Sequence, residues 1–377
     1  MKIKKYTLLL SAVFMTLSSG CVEINQTNDM PVSSERISGQ YIEKDVLYTT
    51  LTDAFENGET IIEFDGFVDS DELSDVLDDI KRDYPEYFWL DCMSAYAVET
   101  SKNSTICDFE SMNDYTSEKL KAMMEEIRAA GDAVLSSLPE GLDNYGKSLY
   151  VHDYIAEHTV YDDSKVGIEE KNLWDTAYGC LVEGKAVCGG YSRGFQYMMN
   201  QLDIPCDIVN GKAWNRDSNS RDGEYSEPAG HAWNYITLNG INYWVDVTWD
   251  DAGDTENMGA DVFHTYFLIN DERLLRTHSI GEKQRDIPTC YSMDSNYHVQ
   301  NGSYLTEYTA EAVGTAMANS AYSGFAEMMF ADEQTYKNAV KGLFENGELW
   351  DLYGYVQFGE TVSYILDDDM HVIIISY

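Results

Sequence analysis

Three residues of the 377-residue chain have the types and spacing for nucleophilic acyl chemistry: Cys188, His231 and Asp246. Cys188 lies in Gly184-Lys185-Ala186-Val187-Cys188-Gly189-Gly190-Tyr191-Ser192, a glycine-flanked turn. The run behind it, Tyr191 to Leu202, carries Phe195, Met198, Met199 and Leu202 at helical spacing and reads as a buried helix. The cysteine therefore falls at or just before a helix N-terminus, where unpaired N–H groups and the dipole favour a thiolate. Gly189 and Gly190 are expected to let the backbone turn tightly and keep side chains off the sulfur. Taken alone, this stretch fits an inert buried cysteine as well as a nucleophile.

The partners come from a hairpin. Gly230 to Leu238 reads as a strand, Asn239-Gly240 as a two-residue loop, and Ile241 to Trp249 as the returning strand. If Leu238 pairs with Ile241, Trp233 lies opposite Asp246 and His231 opposite Thr248. His231 and Asp246 then share a face as diagonal neighbours. Such neighbours are roughly 7–8 Å apart at the backbone, within reach of a histidine–carboxylate hydrogen bond. The other face holds Ala232, Ile236, Leu238, Ile241, Tyr243, Val245 and Val247, an apolar set suited to a core, and it takes Asn234 away from His231. Cys188 as nucleophile, His231 as base and later acid, and Asp246 as the group that orients the imidazole make a coherent set. Trp174, Tyr178 and Trp233 are candidates for walling a substrate cleft or assisting an oxyanion, although packing explains Trp174 and Tyr178 as well. The backbone N–H of Cys188 is expected to supply one oxyanion donor.

The ordered motifs GKAVCGGYS, GHAWNYITLNG and YWVDVTWDD resemble the transglutaminase-like superfamily, and most closely its bacterial, kyphoscoliosis-peptidase-type branch. The resemblance spans roughly Tyr145 to His278. It implies an α+β, papain-like core in which the helix carrying the cysteine packs on an antiparallel sheet. It also implies a triad at Cys188, His231 and Asp246 acting through a thioester: transglutamination, deamidation or amide hydrolysis on peptide or protein substrates. A cysteine peptidase or amidase acting on cell-wall peptides would use the same triad. A catalytically silent surface-binding protein would keep only the fold.

The remaining chain supplies an address and two flanks. Lys2, Lys4 and Lys5 followed by an apolar run to Leu17 read as a signal peptide over residues 1–20, its core too short to span a membrane. Leu17-Ser18-Ser19-Gly20-Cys21 resembles a bacterial lipobox with Cys21 as the lipidated residue, despite Ser18 where an aliphatic residue is usual. The expectation is an exported protein at the cell surface, anchored to the membrane by lipid on Cys21, with secretion after ordinary cleavage as the other route. Residues 21–40 read as a flexible tether. An N-terminal α+β region (41–115), the transglutaminase-like domain (116–280) and a C-terminal α+β region (281–377) follow. In the first flank, Tyr41 to Glu56 and Ser70 to Tyr84 read as helices, the latter capped by Ser70 or Asp69; Thr60 to Phe67, Phe88 to Thr100 and Ser104 to Phe109 read as strands. In the last, Phe325 to Phe330, Leu352 to Phe358 and His371 to Tyr377 read as strands around a helix from Glu333 to Asn346. Both flanks thus have a β-α-β-β outline. Two helices, Ser117 to Leu138 and Asn144 to Thr159, precede the cysteine motif, and Tyr266 to Leu268 reads as another core strand.

A net charge of −41 disfavours nucleic acid as a partner and favours cationic, lysine-bearing substrates, while also serving solubility. Seven cysteines are present. Setting aside Cys21 and Cys188 leaves an odd number, which argues against a full disulfide framework, with a Cys92–Cys107 cross-strand bridge the one weak candidate. No CxxC occurs and the seven histidines are scattered along the chain, so no metal or other cofactor is expected. The spacing of Asp250, Asp251 and Asp254 does not fit an EF-hand and reads as a solvated loop. Residues 211–229 form a polar loop expected to rim the site.

Overall fold

The helix expected behind the cysteine runs Cys188–Gln201 in the structure, a computed structural model that describes residues 2–5, 41–93, 96–100, 104–110, 115–166, 168, 172–214, 227–253, 262–282, 284, 286–319, 325–359 and 361–377. Cys21 with the tether, the apolar part of the signal segment, Asp254 and most of the polar loop before His231 lie outside the described residues. Tyr191, Phe195, Met198 and Met199 bury the helix in the largest apolar core. It packs on a five-stranded antiparallel sheet whose order is Phe267–Ile269, Ile241–Val245, Ala229–Leu238, Cys206–Ala213 and His278–Ile280. The fold is α+β, as expected. The helices Ser117–Ser137 and Asn144–His158 precede the cysteine, within a residue or so of their predicted bounds.

The hairpin register is the one read from Asn239-Gly240. Leu238 pairs with Ile241 and Asn234 with Val245. Both loop residues have positive φ, 53° and 80°, as a primed two-residue turn requires. The returning strand is shorter than predicted. It stops at Val245, and Asp246 instead caps the helical turn Val247–Asp250, accepting the Trp249 N–H at 3.2 Å. A short carboxylate can satisfy local N–H groups in place of the sheet ladder, and here capping wins.

The two flanks share more than an outline. In the N-terminal flank Ile61–Phe64 pairs with Thr105–Asp108, which pairs with Ala97–Thr100. In the C-terminal flank Phe325–Phe330 pairs with Val372–Ser376, which pairs with Thr361–Asp367. Each has the order first, last, middle, with a helix (Ser70–Asp83 or Glu333–Val340) after the first strand. Asp69 caps the former by accepting from Asp71 and Glu72. Two predicted strands are corrected. The start of Phe88 to Thr100 is a helical turn, Trp89–Cys92, because a short apolar run does not distinguish strand from buried helix. Leu352 to Phe358 is not a strand either. A 3-10 stretch, Glu348–Gly354, buries Leu349 and Leu352 at helical spacing, and the middle strand is Thr361–Asp367. Cys92 sits on the helical turn while Cys107 pairs with Ile62 and Val98, so no bridge forms between them; the six described cysteines are free. Lys2–Lys5 runs parallel to Thr361–Asp367 at the edge of the C-terminal sheet. Among the described residues no helix is long and apolar enough to cross a membrane.

The central sheet is covered on both faces. The face away from the cysteine helix offers Val209, Trp233, Trp244 and Tyr266 to Met329, Ile365, Val372 and Ile374 of the C-terminal sheet. Arg273, buried at that junction, donates Nη1 to the Met370 carbonyl and Nη2 to the Phe330 carbonyl, each at 2.5 Å.

The glycines after the cysteine act differently from the expectation. Both are helical, and neither has positive φ. What they provide is space. A Cβ on Gly190 would stand 2.6 Å from Ala186 Cβ and 2.8 Å from the Trp174 carbonyl oxygen, and one on Gly189 would stand 2.0 Å from Asp175 Oδ1. Gly190→Ala is therefore expected to destabilise the fold by about 1–3 kcal/mol through overpacking against backbone. A denaturant midpoint unchanged from the parent protein would refute that account.

Candidate active site

Cys188 occupies the first position of its helix, after Val187. Three contacts fix that helix end. The Val187 N–H donates to the Trp174 carbonyl at 2.9 Å. Arg193, one turn on, reaches the Asp91 carboxylate at 3.1 Å and donates to the Asp175 carbonyl at 3.1 Å. Asn234, on the histidine strand, donates to the Ser192 carbonyl at 3.1 Å. Asn234 thus serves the helix, consistent with its predicted place away from His231. Cys188 is 4% exposed and packs on Ile208 and Ala232.

His231 is held between Asp246 and Cys188. Its Nε2 lies 2.7 Å from Asp246 Oδ2, and the Cys188 sulfur stands near enough to the same imidazole to raise its pKa. With Nε2 committed to the carboxylate, Nδ1 is the nitrogen left for sulfur. The returning strand pairs the histidine strand only from Asn234 onward, so the Asp246 turn occupies the place beside His231. Burial by itself would lower the pKa of His231. The charge and hydrogen bond of Asp246, with a further contribution from Cys188, outweigh it and hold the imidazole at about 10. Burial would conversely raise Asp246, but the two imidazoles around it keep its carboxyl well below the usual range.

The second imidazole is His278. Its Nε2 lies 3.1 Å from the same Oδ2, and its Nδ1 lies 2.9 Å from the Thr277 hydroxyl. Burial and the charge of His231 push His278 down, so it stays neutral and donates a hydrogen bond to Asp246 without competing for its charge.

The chain itself matches a known family over this region. Residues 136–249 match the transglutaminase-like superfamily. They form a transglutaminase-like core. No curated protein matches the chain. Among solved structures, the chain is similar to a TGase at 16% identity over 50% of each chain, with a TM-score of 0.28. It is similar to a candidate cysteine protease from Cytophaga hutchinsonii at 16% identity over 32% of this chain and 37% of that one, TM-score 0.24. An arylamine N-acetyltransferase from Bacillus cereus, described as having a Cys-His-Glu triad, aligns at 12% identity over 32% of this chain and 48% of that one, TM-score 0.26. The chain thus spans about half the length of these proteins or less.

The transglutaminase-like core brings Cys188, His231 and Asp246 together, but none of the three aromatic candidates takes the cleft or oxyanion place expected of it. Trp233 is fully buried. It stacks behind His231 at 5.9 Å between ring centroids and meets Trp244 and His278 edge-on, so it backs the imidazole and does not wall a cleft. The Tyr178 hydroxyl is engaged by Glu126 and its ring lies on Phe88, which leaves it no oxyanion role. Trp174 is half-buried, and its backbone carbonyl anchors the helix end. Two residues escaped the sequence reading. Tyr161, half-buried, stands close enough to Cys188 for the two charges to interact and lies 6.1 Å from the Tyr191 ring. His278 carries no local motif; only the pairing of His278–Ile280 with Cys206–Ala213 brings it to Asp246.

His231 is raised relative to an unfolded value of about 6.5, so it adds stability that is complete below that pH and lost as pH rises through about 10. Asp246 is lowered, so its contribution is present above about 4 and lost as pH falls through its depressed folded value. Histidine-selective NMR is expected to find the His231 imidazole protonated throughout neutral pH. In Asp246→Asn it should titrate several units lower. Equal titration in the two proteins would remove the carboxylate from this role.

Proposed function

We propose that the protein is an exported cysteine enzyme that transfers or hydrolyses acyl groups of peptide or protein amides through a Cys188 thioester. One observation carries this reading: a buried imidazole bonded to Asp246 at 2.7 Å, with the Cys188 sulfur, at the first turn of a helix, near enough to raise its pKa. The sulfur attacks the amide carbonyl carbon, and the C–N bond breaks as His231 gives its proton to the departing ammonia or amine. The resulting thioester is attacked by an amine or by water, His231 takes a proton from that nucleophile, and the thiolate leaves. The Cys188 N–H, at a helix position with no intrahelical acceptor, faces the developing oxyanion. The net charge of −41 favours a lysine-bearing peptide as acceptor or substrate.

The decisive experiment incubates the purified protein with glutamine-containing peptides, with and without a lysine analogue, and follows products and enzyme by intact mass. Acyl-enzyme on Cys188 is the expected result. Amine incorporation identifies transfer, and release of free acid identifies the hydrolase or peptidase alternative. Cys188→Ala should abolish both, and Asp246→Asn should slow turnover on the order of 10³–10⁴-fold. A Cys188 that forms no adduct with any amide donor, and alkylates equally fast in His231→Ala, would sink the enzyme and leave a silent binding protein.

Export and anchoring rest on the Lys2–Leu17 segment and Cys21. In a bacterial host, fatty-acid labelling should mark the protein and Cys21→Ser should remove the label. Labelling that persists in Cys21→Ser would refute the anchor.

A further inference from the structure

Away from the thiol, the core meets the C-terminal sheet at a cluster of three imidazoles and three carboxylates. Asp153 Oδ1 lies 2.9 Å from His152 Nδ1 and 3.0 Å from His264 Nε2. The other nitrogen of each ring faces a second, buried carboxylate. His152 Nε2 lies 3.1 Å from Asp250 Oδ2, and His264 Nδ1 lies 3.6 Å from Glu327 Oε2. His298 approaches Glu327 from the other side at 3.5 Å. Among the described residues no lysine or arginine pairs with any of the three acids. Three carboxylates at this cluster therefore call for positive charge that nearby side chains do not permanently supply.

We propose that His152 Nδ1, His264 Nε2 and Asp153 bind one divalent zinc-like ion. The donor set is two imidazoles and a carboxylate, borderline ligands suited to zinc and its first-row neighbours. The three donor atoms lie within 4.8 Å of one another. A carboxylate behind each ligating imidazole is the arrangement that fixes ring orientation and strengthens a histidine ligand. Asp250 and Glu327 fill those places. Asp153 keeps its side chain 35% exposed, which gives water and the ion access, while both histidines are buried. Tyr297 stacks on His264 at 3.7 Å and holds its plane. Glu327 also accepts the His264 backbone N–H at 2.9 Å and the Thr265 hydroxyl at 2.8 Å, so the ion would tie the core to the strand Phe325–Phe330.

A second histidine–carboxylate–histidine group, His231, Asp246 and His278, is spatially similar. It differs where a metal would matter. Its free ring nitrogens meet the Cys188 thiol and the Thr277 hydroxyl, neither a carboxylate, and all three of its residues are buried.

The test is calorimetric titration of zinc chloride into the chelator-treated full-length protein, with cobalt(II) as an optical probe. One ion per chain is expected, with a cobalt spectrum lacking thiolate charge transfer and a rise in Tm on loading. Asp153→Asn and His264→Gln should each lose at least tenfold in affinity. Asp250→Asn, which removes the carboxylate behind His152 and keeps an oxygen for the Tyr266 N–H, should weaken binding by roughly 10–100-fold. Cys188→Ala and His278→Gln should bind as the parent does. Asp153→Asn, at a half-exposed position, is expected to fold, as circular dichroism will report. No stoichiometric binding by the folded parent overturns the proposal. So does affinity unchanged in Asp153→Asn and His264→Gln, a thiolate band in the cobalt spectrum, or loss of binding in His278→Gln instead.

Discussion

The carboxylate of Asp246 is the charge on which the candidate active site depends. It is 1% exposed, and a carboxylate stripped of water at that depth persists only if its oxygens are met by donors. The Trp249 N–H meets one oxygen, and His231 and His278 share the other. The division between the two imidazoles follows from their surroundings. His231 has a thiol on its far side and carries the positive charge, whereas His278 has a hydroxyl there and remains a neutral donor. A single ion pair with a neutral supporting hydrogen bond is cheaper to bury than two cations around one anion.

This arrangement constrains the packing around it. Cys188 must reach the free side of His231, so the helix end has to approach both the sheet and the segment 172–187 closely. Glycine at 189 and 190 makes that approach sterically feasible. Arg193, paired with Asp91 and bonded to the Asp175 carbonyl, links the same helix to the N-terminal flank, and Asn234 links it to the histidine strand. The C-terminal flank covers the opposite face of the sheet, over Trp233 and Trp244, with Arg273 and Glu327 as its polar attachments. Both flanks thereby support the core from opposite sides, and they do so with the same strand order.

Local chemistry in the chain was enough to define much of this. Residues Tyr191 to Leu202 announce a buried helix by period, and Asn239-Gly240 fixes the hairpin register because so few turns accept positive φ at two successive positions. From these, Cys188, His231 and Asp246 could be named as a set. Where local signals conflict, the reading failed. Asp246 could extend a strand or cap a helix, and the Phe88 and Leu352 stretches were apolar enough for either period. Packing decided each case.

Contacts between residues far apart in sequence have no local signature, and these were left to the tertiary structure. His278 reaches Asp246 only because its strand pairs with Cys206–Ala213 on the far edge of the sheet. Trp233 reads as a site aromatic from its place beside His231, yet the C-terminal sheet covers its face and makes it core. The seven histidines are scattered in the sequence, and folding gathers His152, His264 and His298 around three acids from three segments of the chain. The sequence determined the candidate site groups and the helix and hairpin that present them, because short-range sterics and periodicity specify both. Only the tertiary structure decided which groups share a charge, since that depends on burial and on neighbours contributed by distant segments.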